Sequence, residues 1–293
     1  MGFVINNNLA ANNSYRNLNS TQNDLSKSLE KLSTGLRINR AGDDAAGLSI
    51  SEGLKAQVTG SAQAARNAQD GISVIQTTEG ALTEVHSILQ RMRDLAVQGS
   101  NDTNNTAARD AIKAEGNSLG QELDRITKAT NFNGIDLLKG ATGAGVTATS
   151  TPGSLEIQVG TGGTTGVDTI KVKVGDVATA TGALSDAAGT GATDFVVDTA
   201  ANAQTTIGKI DTAIKAISAQ RADLGAAQNR LEHTVKSLNV AGENLQAAQS
   251  RIADVDMAQE MVKFTKANIL SQAGTAMLAQ ANQSSQGVLS LLR

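Results

Sequence analysis

Apolar residues near the C-terminal end of the chain keep a seven-residue register for about fifty positions. Ile207, Ile210, Ile214, Ile217, Leu224, Leu231, Val235, Leu238, Leu245 and Ile252 fall on alternating three- and four-residue steps, with Arg221, Gln228, Gly242 and Gln249 at the skipped positions. That spacing predicts one helix with a narrow apolar seam over 207–255. At ~1.5 Å per residue its length would be roughly 75 Å, against the roughly 11–12 residues of an ordinary globular-domain helix. Other segments must cover the seam, and they define the architecture.

The same steps recur at Leu18, Leu25, Leu29, Leu32 and Leu36, predicting a helix over 9–36. It is rich in Asn12, Asn13, Asn17, Ser20, Asn23, Ser26 and Ser28, which favour local backbone hydrogen bonds over helix. Alone it would be marginal in water, so it is expected to order only when a partner covers its stripe. A break follows at 38–44, where Gly42 permits reversal and Asp43 or Asp44 caps the next helix. That helix is expected to reach about Gln98. Its seam is partly small through Leu54, Val58, Ser61, Ala65 and Ala68, then larger through Ile72, Ile75, Leu82, Val85, Leu89, Met92 and Ala96. The loop 99–106 ends it, and Thr106 is expected to cap an antiparallel neighbour over 107–129 with the seam Ile112, Leu119, Leu123 and Ile126.

Asn133-Gly134 then marks a tight reversal, with Ile135, Leu137 and Leu138 packing on the bundle end. From Gly140 to about Ala201 Gly, Thr, Ala and Asp dominate. Alternation in Leu155–Val159 and Thr169–Val174 predicts a β-hairpin with a Gly-rich tip, and Phe195-Val-Val197 a third short strand. A flexible linker is the competing reading, chiefly for 182–193. Past Val255 the register loosens. Met257, Met261, Val262, Phe264, Ile269, Leu270, Met277 and Leu278 scatter among glutamines, and Val288, Leu289, Leu291 and Leu292 extend an uncovered terminal stripe.

Composition narrows the function classes. Two per cent aromatic residues, one Pro and no Trp suit a helical bundle better than a conventional globular core. The absence of Cys excludes disulfides and thiolate chemistry. A net charge of −3 without basic blocks argues against nucleic acid or membrane as main partner. The amino end carries no basic region followed by an apolar one, so no general secretory signal is expected. His86 and His233 stand alone, Gly160–Gly166 lacks the Lys-Ser/Thr of a phosphate loop, and Asp254 and Asp256 lack the Gly and distant Glu of a calcium loop. The sequence therefore gives no catalytic, cofactor or metal residues, and an enzyme is not expected.

Several stretches resemble the bacterial flagellins, the subunits of flagellar filaments. They are Leu32-Ser-Thr-Gly-Leu-Arg-Ile-Asn39, Gly42-Asp-Asp-Ala-Ala-Gly-Leu48, Gln90–Gln98, Phe132-Asn-Gly134, Leu224–Leu231, Glu243-Asn-Leu245, Ser250-Arg-Ile-Ala-Asp254 and Ala279–Gln283 ahead of Leu-Leu-Arg293. The resemblance covers about the first 140 and last 90 residues and implies a mainly α fold. This would be a long antiparallel coiled-coil bundle with a small β-hairpin region and paired termini. Residues 1–43 and 254–293 would form an inner-tube domain, and 44–253 an outer-tube bundle that includes the hairpin region 140–200. The implied function is a secreted structural subunit that polymerises into the filament for swimming motility. Export would run unfolded through the flagellar type III route. The implied partners are further copies, an export chaperone, the filament cap and hook-associated junction proteins. A flagellar hook–filament junction protein is the alternative. The resemblance also implies an animal innate immune receptor surface at Gln90, Arg91, Leu95, Val97, Gln98 and Glu115, for which subunit contacts or an Arg91–Glu115 ion pair are the competing role. Leu18, Leu25, Leu29, Leu32, Leu36, Val288, Leu289, Leu291 and Leu292 would form the terminal assembly stripe.

Overall fold

Heptad spacing becomes helix here until a side chain or glycine offers the backbone another partner. The computed structural model describes residues 8–139, 154–164, 166–182, 184 and 195–291. In α1 (Leu9–Thr34) the Asn8 side chain accepts from the Ala11 N–H at 3.0 Å, and Gly35, at φ 72°, ends the helix by donating to the Lys31 carbonyl. Asp44 accepts from the Gly47 N–H at 2.9 Å at the start of α2 (Ala45–Gly99), while Asp43 instead ties the loop through the Asn39 and Arg40 N–H groups. In α3 (Thr106–Ala129) the cap is Asn105, whose side chain accepts from Ala108 N at 2.8 Å. The expected cap, Thr106, is itself the first helical residue.

Strands β1 (Asn131–Phe132) and β2 (Ile135–Asp136) pair antiparallel across Asn133 and Gly134, both at positive φ of 49° and 79°. That is the turn an Asn-Gly pair favours, because its twist matches the strands. The second hairpin pairs β3 (Ser154–Gln158) with β4 (Thr169–Lys173). Ile157 faces Ile170 on the buried side, and Glu156 faces Lys171 on the outside with an ion pair of 2.7 Å. A short α4 (Val177–Thr181), capped by Asp176, follows. Phe195–Val197 forms no strand, contrary to its alternation. Phe195 and Val197 are fully buried against helices. The Phe195 ring lies where a side chain on Gly116 of α3 would be, and Val197 lies over Gly99 of α2. Alternating burial against helices leaves the same period of two as a ladder does. Most of 182–193 lies outside the described residues.

The long C-terminal run divides. α5 (Ala200–Ala253) stops before Val255, and α6 (Met257–Leu291) begins after a break. Arg37 and Asp256 hold that break, Asp256 by accepting from the Ala258 and Gln259 N–H groups at the start of α6. The Arg37 N–H donates to the Ala253 carbonyl at 2.7 Å, and its guanidinium to the Ile252 carbonyl at 2.7 and 3.1 Å. Val255 N–H returns a bond to Gly35 O at 3.0 Å, and Leu36 bridges Asp254. These bonds satisfy the last α5 carbonyls, which an α-helix leaves without intrahelical donors.

Two compact units result, Met1–Val58 with Glu243–Arg293, and Thr59–Gly242. The division between them lies within α2 and α5. The α1–α2 loop stays with its own unit through Arg37 and through Ile38, which packs on Gly47. In the 59–242 unit, Ala68, Ile75, Leu82, Val85, Leu89 and Met92 of α2 and Ile210, Ile217, Leu224 and Leu231 of α5 belong to one buried cluster. Ile157 from β3 sits where Gly71 leaves room, and an Arg93–Asp211 ion pair flanks the α2 and α5 seams while Arg221–Glu79 joins a step of each.

Gly80 and Gly116 separate helix propensity from packing. Gly80 is exposed with open space at its Cβ position, so Gly80→Ala is expected to raise stability by about 0.5–1 kcal/mol. Gly116→Ala drives a methyl into Phe195 and is expected to cost about 1–3 kcal/mol. Urea unfolding of the soluble chain, followed by far-ultraviolet circular dichroism, checks both signs.

Candidate functional site

The surface that a single copy leaves least satisfied is on the terminal helices. α1 and α6 pair antiparallel. Asn8 Nδ2 donates to Ala281 O at 3.0 Å, Leu18 lies against Gly274, Ser28 Oγ donates to Glu260 Oε1 at 2.7 Å, and Leu36 bridges Asp254. Both helices use the three-and-four spacing. On α1 the less exposed positions along the seam are Ala11, Ser14, Leu18, Thr21, Leu25, Ser28 and Leu32. On α6 they are Glu260, Phe264, Ala267, Ser271, Gly274, Leu278 and Ala281. Most of these side chains are small or polar, so the seam is thin and its leucines are only half-buried. Leu29, expected in this stripe, lies off the seam and is 56% exposed.

The opposite side of α6 is also apolar. Met261, Val262, Thr265, Lys266, Ile269 and Leu270 line an open hollow of about 480 Å³. Val262 is 68% exposed and Ile269 61%. Positions 261, 265 and 269 form one four-residue row and 262, 266 and 270 the next, so the hollow is a continuous stripe. Met257 and Met277 extend the exposed apolar surface. A helix that is apolar on more than one side belongs inside a larger packed body. α1 adds exposed Leu9 and Tyr15. The side chains of Val288, Leu289 and Leu291, and all of Leu292, lie outside the described residues.

The thin seam has a charged centre. Glu260 is buried, and its second oxygen accepts from Lys263 at 3.1 Å. Burial pushes its carboxyl up, but the Ser28 hydroxyl, the Lys263 ammonium and the positive charge of Lys31 together outweigh that and hold it below the ordinary glutamate value. Sequence reasoning missed this pair and also treated the outer α6 residues as scattered. Ser28 was legible at the seam step between Leu25 and Leu32, and Glu260 four residues before Phe264.

On α2 and α3, Arg91 Nε and Nη2 donate to Glu115 Oε1 at 2.9 and 2.6 Å. Gln90, Arg91, Val97, Gln98 and Glu115 are exposed. Leu95 is not. At 2% exposure it belongs to the core of this chain's own bundle, beside the buried Met92 and Ala96, and is removed from any surface patch.

A family model described as bacterial flagellin N-terminal helical region matches residues 5–142, and one described as bacterial flagellin C-terminal helical region matches 207–292. A flagellin of Halalkalibacterium halodurans is 52% identical over 99% of this chain and 100% of its own length. A flagellin of Bacillus subtilis is 48% identical over 99% of both chains. Among solved structures, one described as a flagellar hook-associated protein of Vibrio parahaemolyticus matches with a TM-score of 0.55 at 15% identity, over 72% of this chain and all of that one. That last likeness is one of fold.

Because the Glu260 carboxyl is depressed in the paired helices, its contribution is fully present above the ordinary glutamate pKa and is lost as pH falls through the lower, folded-state value. In assembled parent chain the protection of the α1 and α6 amides, relative to their intrinsic exchange at each pH, is expected to fall across that acid range. Glu260→Gln, which has no such titration, should show a smaller acid-dependent change; equal acid dependence in both chains would contradict the assignment.

Proposed function

The chain belongs to the bacterial flagellin family, and from that premise we propose that polymerisation into the flagellar filament is what buries the outer face of α6. A flagellin is a structural subunit, and relatives matched over nearly their whole length favour that role over a hook–filament junction protein. The observation that carries the proposal is the stripe of Met261, Val262, Ile269 and Leu270, apolar and about half or more exposed in a single copy. Covering the exposed part of such a side chain is favourable by about 1 kcal/mol or more. Each of many identical copies supplies the same stripe, so a helical homopolymer satisfies them together.

The thin α1–α6 seam fits a subunit that travels unfolded through the flagellar type III channel and orders its ends on arrival. Little energy is lost by keeping these helices apart before assembly, and their exposed apolar residues suit an export chaperone. The filament cap and hook-associated junction proteins would meet the same helical ends outside the cell. An animal innate immune receptor is a separate partner. It would read the exposed part of the 90–98 and 115 surface, namely Gln90, Arg91, Val97, Gln98 and Glu115, with the Arg91–Glu115 ion pair fixing two of its side chains.

Seeding purified chain on filament fragments and imaging by electron microscopy tests the main proposal. The parent is expected to elongate the seeds, whereas Val262→Asp combined with Ile269→Asp should abolish elongation without shifting urea unfolding of the 59–242 unit. Normal elongation by that variant would sink the assigned surface. For the receptor, Arg91→Asp in soluble monomer should reduce activation by roughly tenfold or more, the loss expected from a hot-spot arginine; unchanged activation would remove Arg91 from the site.

A further inference from the structure

The most buried contact in the α1–α6 pair is polar. Ser28 is 7% and Glu260 4% exposed, matched in the described part of that seam only by the small Ala267, while the seam leucines remain half-buried. Gly35, Leu36 and Arg37 hold the loop end against 252–255, but beyond that end an apolar seam this thin chooses poorly among registers. Sliding one helix past the other by a heptad again sets three-and-four rows against each other. A slide in one sense puts Glu260 beside Gly35, which has no side chain. In the other it meets Thr21, whose hydroxyl already donates to the Asn17 carbonyl at 2.8 Å. Either slide leaves a buried carboxylate without its Ser28 donor, and Ser28 opposite an alanine. A buried charge deprived of its partner is strongly unfavourable, whereas replacement of a buried polar pair by apolar groups is often neutral.

We propose that the Ser28–Glu260 hydrogen bond carries the register set at the loop end into the body of the terminal helix pair, selecting one antiparallel alignment of α1 and α6 for assembly. This rests on the filament reading above, since a polymer repeats whatever alignment its subunits present. The pair contributes specificity more than stability. Lys263, three residues beyond Glu260, balances its charge, and Lys31 stands three residues beyond Ser28 in the equivalent place. The contact is therefore close to symmetric. Exchanging the two residues should restore the same alignment.

Cross-linking reads the register directly, in a chain that has no Cys of its own. A Cβ placed on Gly274 would be 3.8 Å from that of Leu18, matching the ordinary Cβ separation of a disulfide, ~3.8 Å. Leu18→Cys with Gly274→Cys reports the native alignment, and Leu18→Cys with Ala267→Cys or with Ala281→Cys reports slides of one heptad. Oxidation is run on assembled filaments and on soluble chain. Intrachain products, separated from ladders of joined copies on denaturing gels, are mapped by peptide mass. With Ser28 and Glu260 present, the 18/274 link should dominate, and Glu260→Gln, which keeps an acceptor for Ser28, should retain it. Glu260→Leu should raise the out-of-register links by about tenfold or more, as removal of a buried-charge penalty implies, without reducing total helix pairing. Exclusive 18/274 linkage in Glu260→Leu overturns the proposal. If Glu260→Leu does not assemble, the exchange variant Ser28→Glu with Glu260→Ser decides. Recovery of filaments with the 18/274 link upholds the register role, and failure equal to that of Glu260→Leu overturns it. Failure of the reduced parent cysteine pair to elongate seeds would speak against the filament reading instead, and the soluble-chain cross-links would still decide the register.

Discussion

A helix that is apolar on opposite sides cannot be satisfied by one neighbour, and α6 is such a helix. One face meets α1 along a seam of Phe264, Ala267, Gly274 and Leu278, and the other presents Met261, Val262, Ile269 and Leu270 to solvent. The partner is no better supplied, because α1 fills three of its seven seam positions with Ser14, Thr21 and Ser28. Neither helix has the side-chain volume to bury the other, so the pair needs cover from outside one copy. On the proposed filament reading that cover would come from identical neighbours, and incomplete burial would drive polymerisation.

The 59–242 unit follows a different logic. Its α2 and α5 seams carry full-sized Ile, Leu, Val and Met, and glycines open slots where Ile157 and Phe195 enter. The Arg221–Glu79 ion pair takes a seam step on each helix, and Arg93–Asp211 flanks the seams. This unit closes its core within one copy. The contrast between a filled core and a thin terminal seam separates the part that folds alone from the part whose order depends on neighbours. Arg37 stands within the terminal unit, at the break between α5 and α6. By capping the last carbonyls of α5 it turns what reads as one seam into two helices, so that α6 can take α1 as its partner.

Much of the helical fold was legible because the signals were local and repeated. Leu18, Leu25 and Leu32, Ile75 through Met92, and Ile210 through Leu231 all lie on the faces their spacing assigns. The Asn133-Gly134 turn and the β3–β4 register were equally plain, since turn chemistry and alternation agreed there. Failures came where a distant group competed with a local one. The α5 break depends on Arg37, far away in sequence, and the strand pattern of Phe195–Val197 reported burial against Gly116 and Gly99. Leu95 shows the limit of face arguments. Four residues from exposed Arg91, it falls on the inner edge of the same helix surface, and only packing decides which of the two sees solvent. Ser28 and Glu260 were hidden for another reason: a search for apolar periodicity passes over polar residues in a seam.

Hydrogen exchange, measured by mass spectrometry on soluble chain and on assembled filaments, tests the central claim most directly. The account predicts fast exchange in 9–34 and 257–283 of the soluble chain, strong protection of the same segments in the filament, and little change in 72–95 and 207–231 between the two states. Terminal segments equally protected before and after assembly would contradict it, because the helices would then already have their cover.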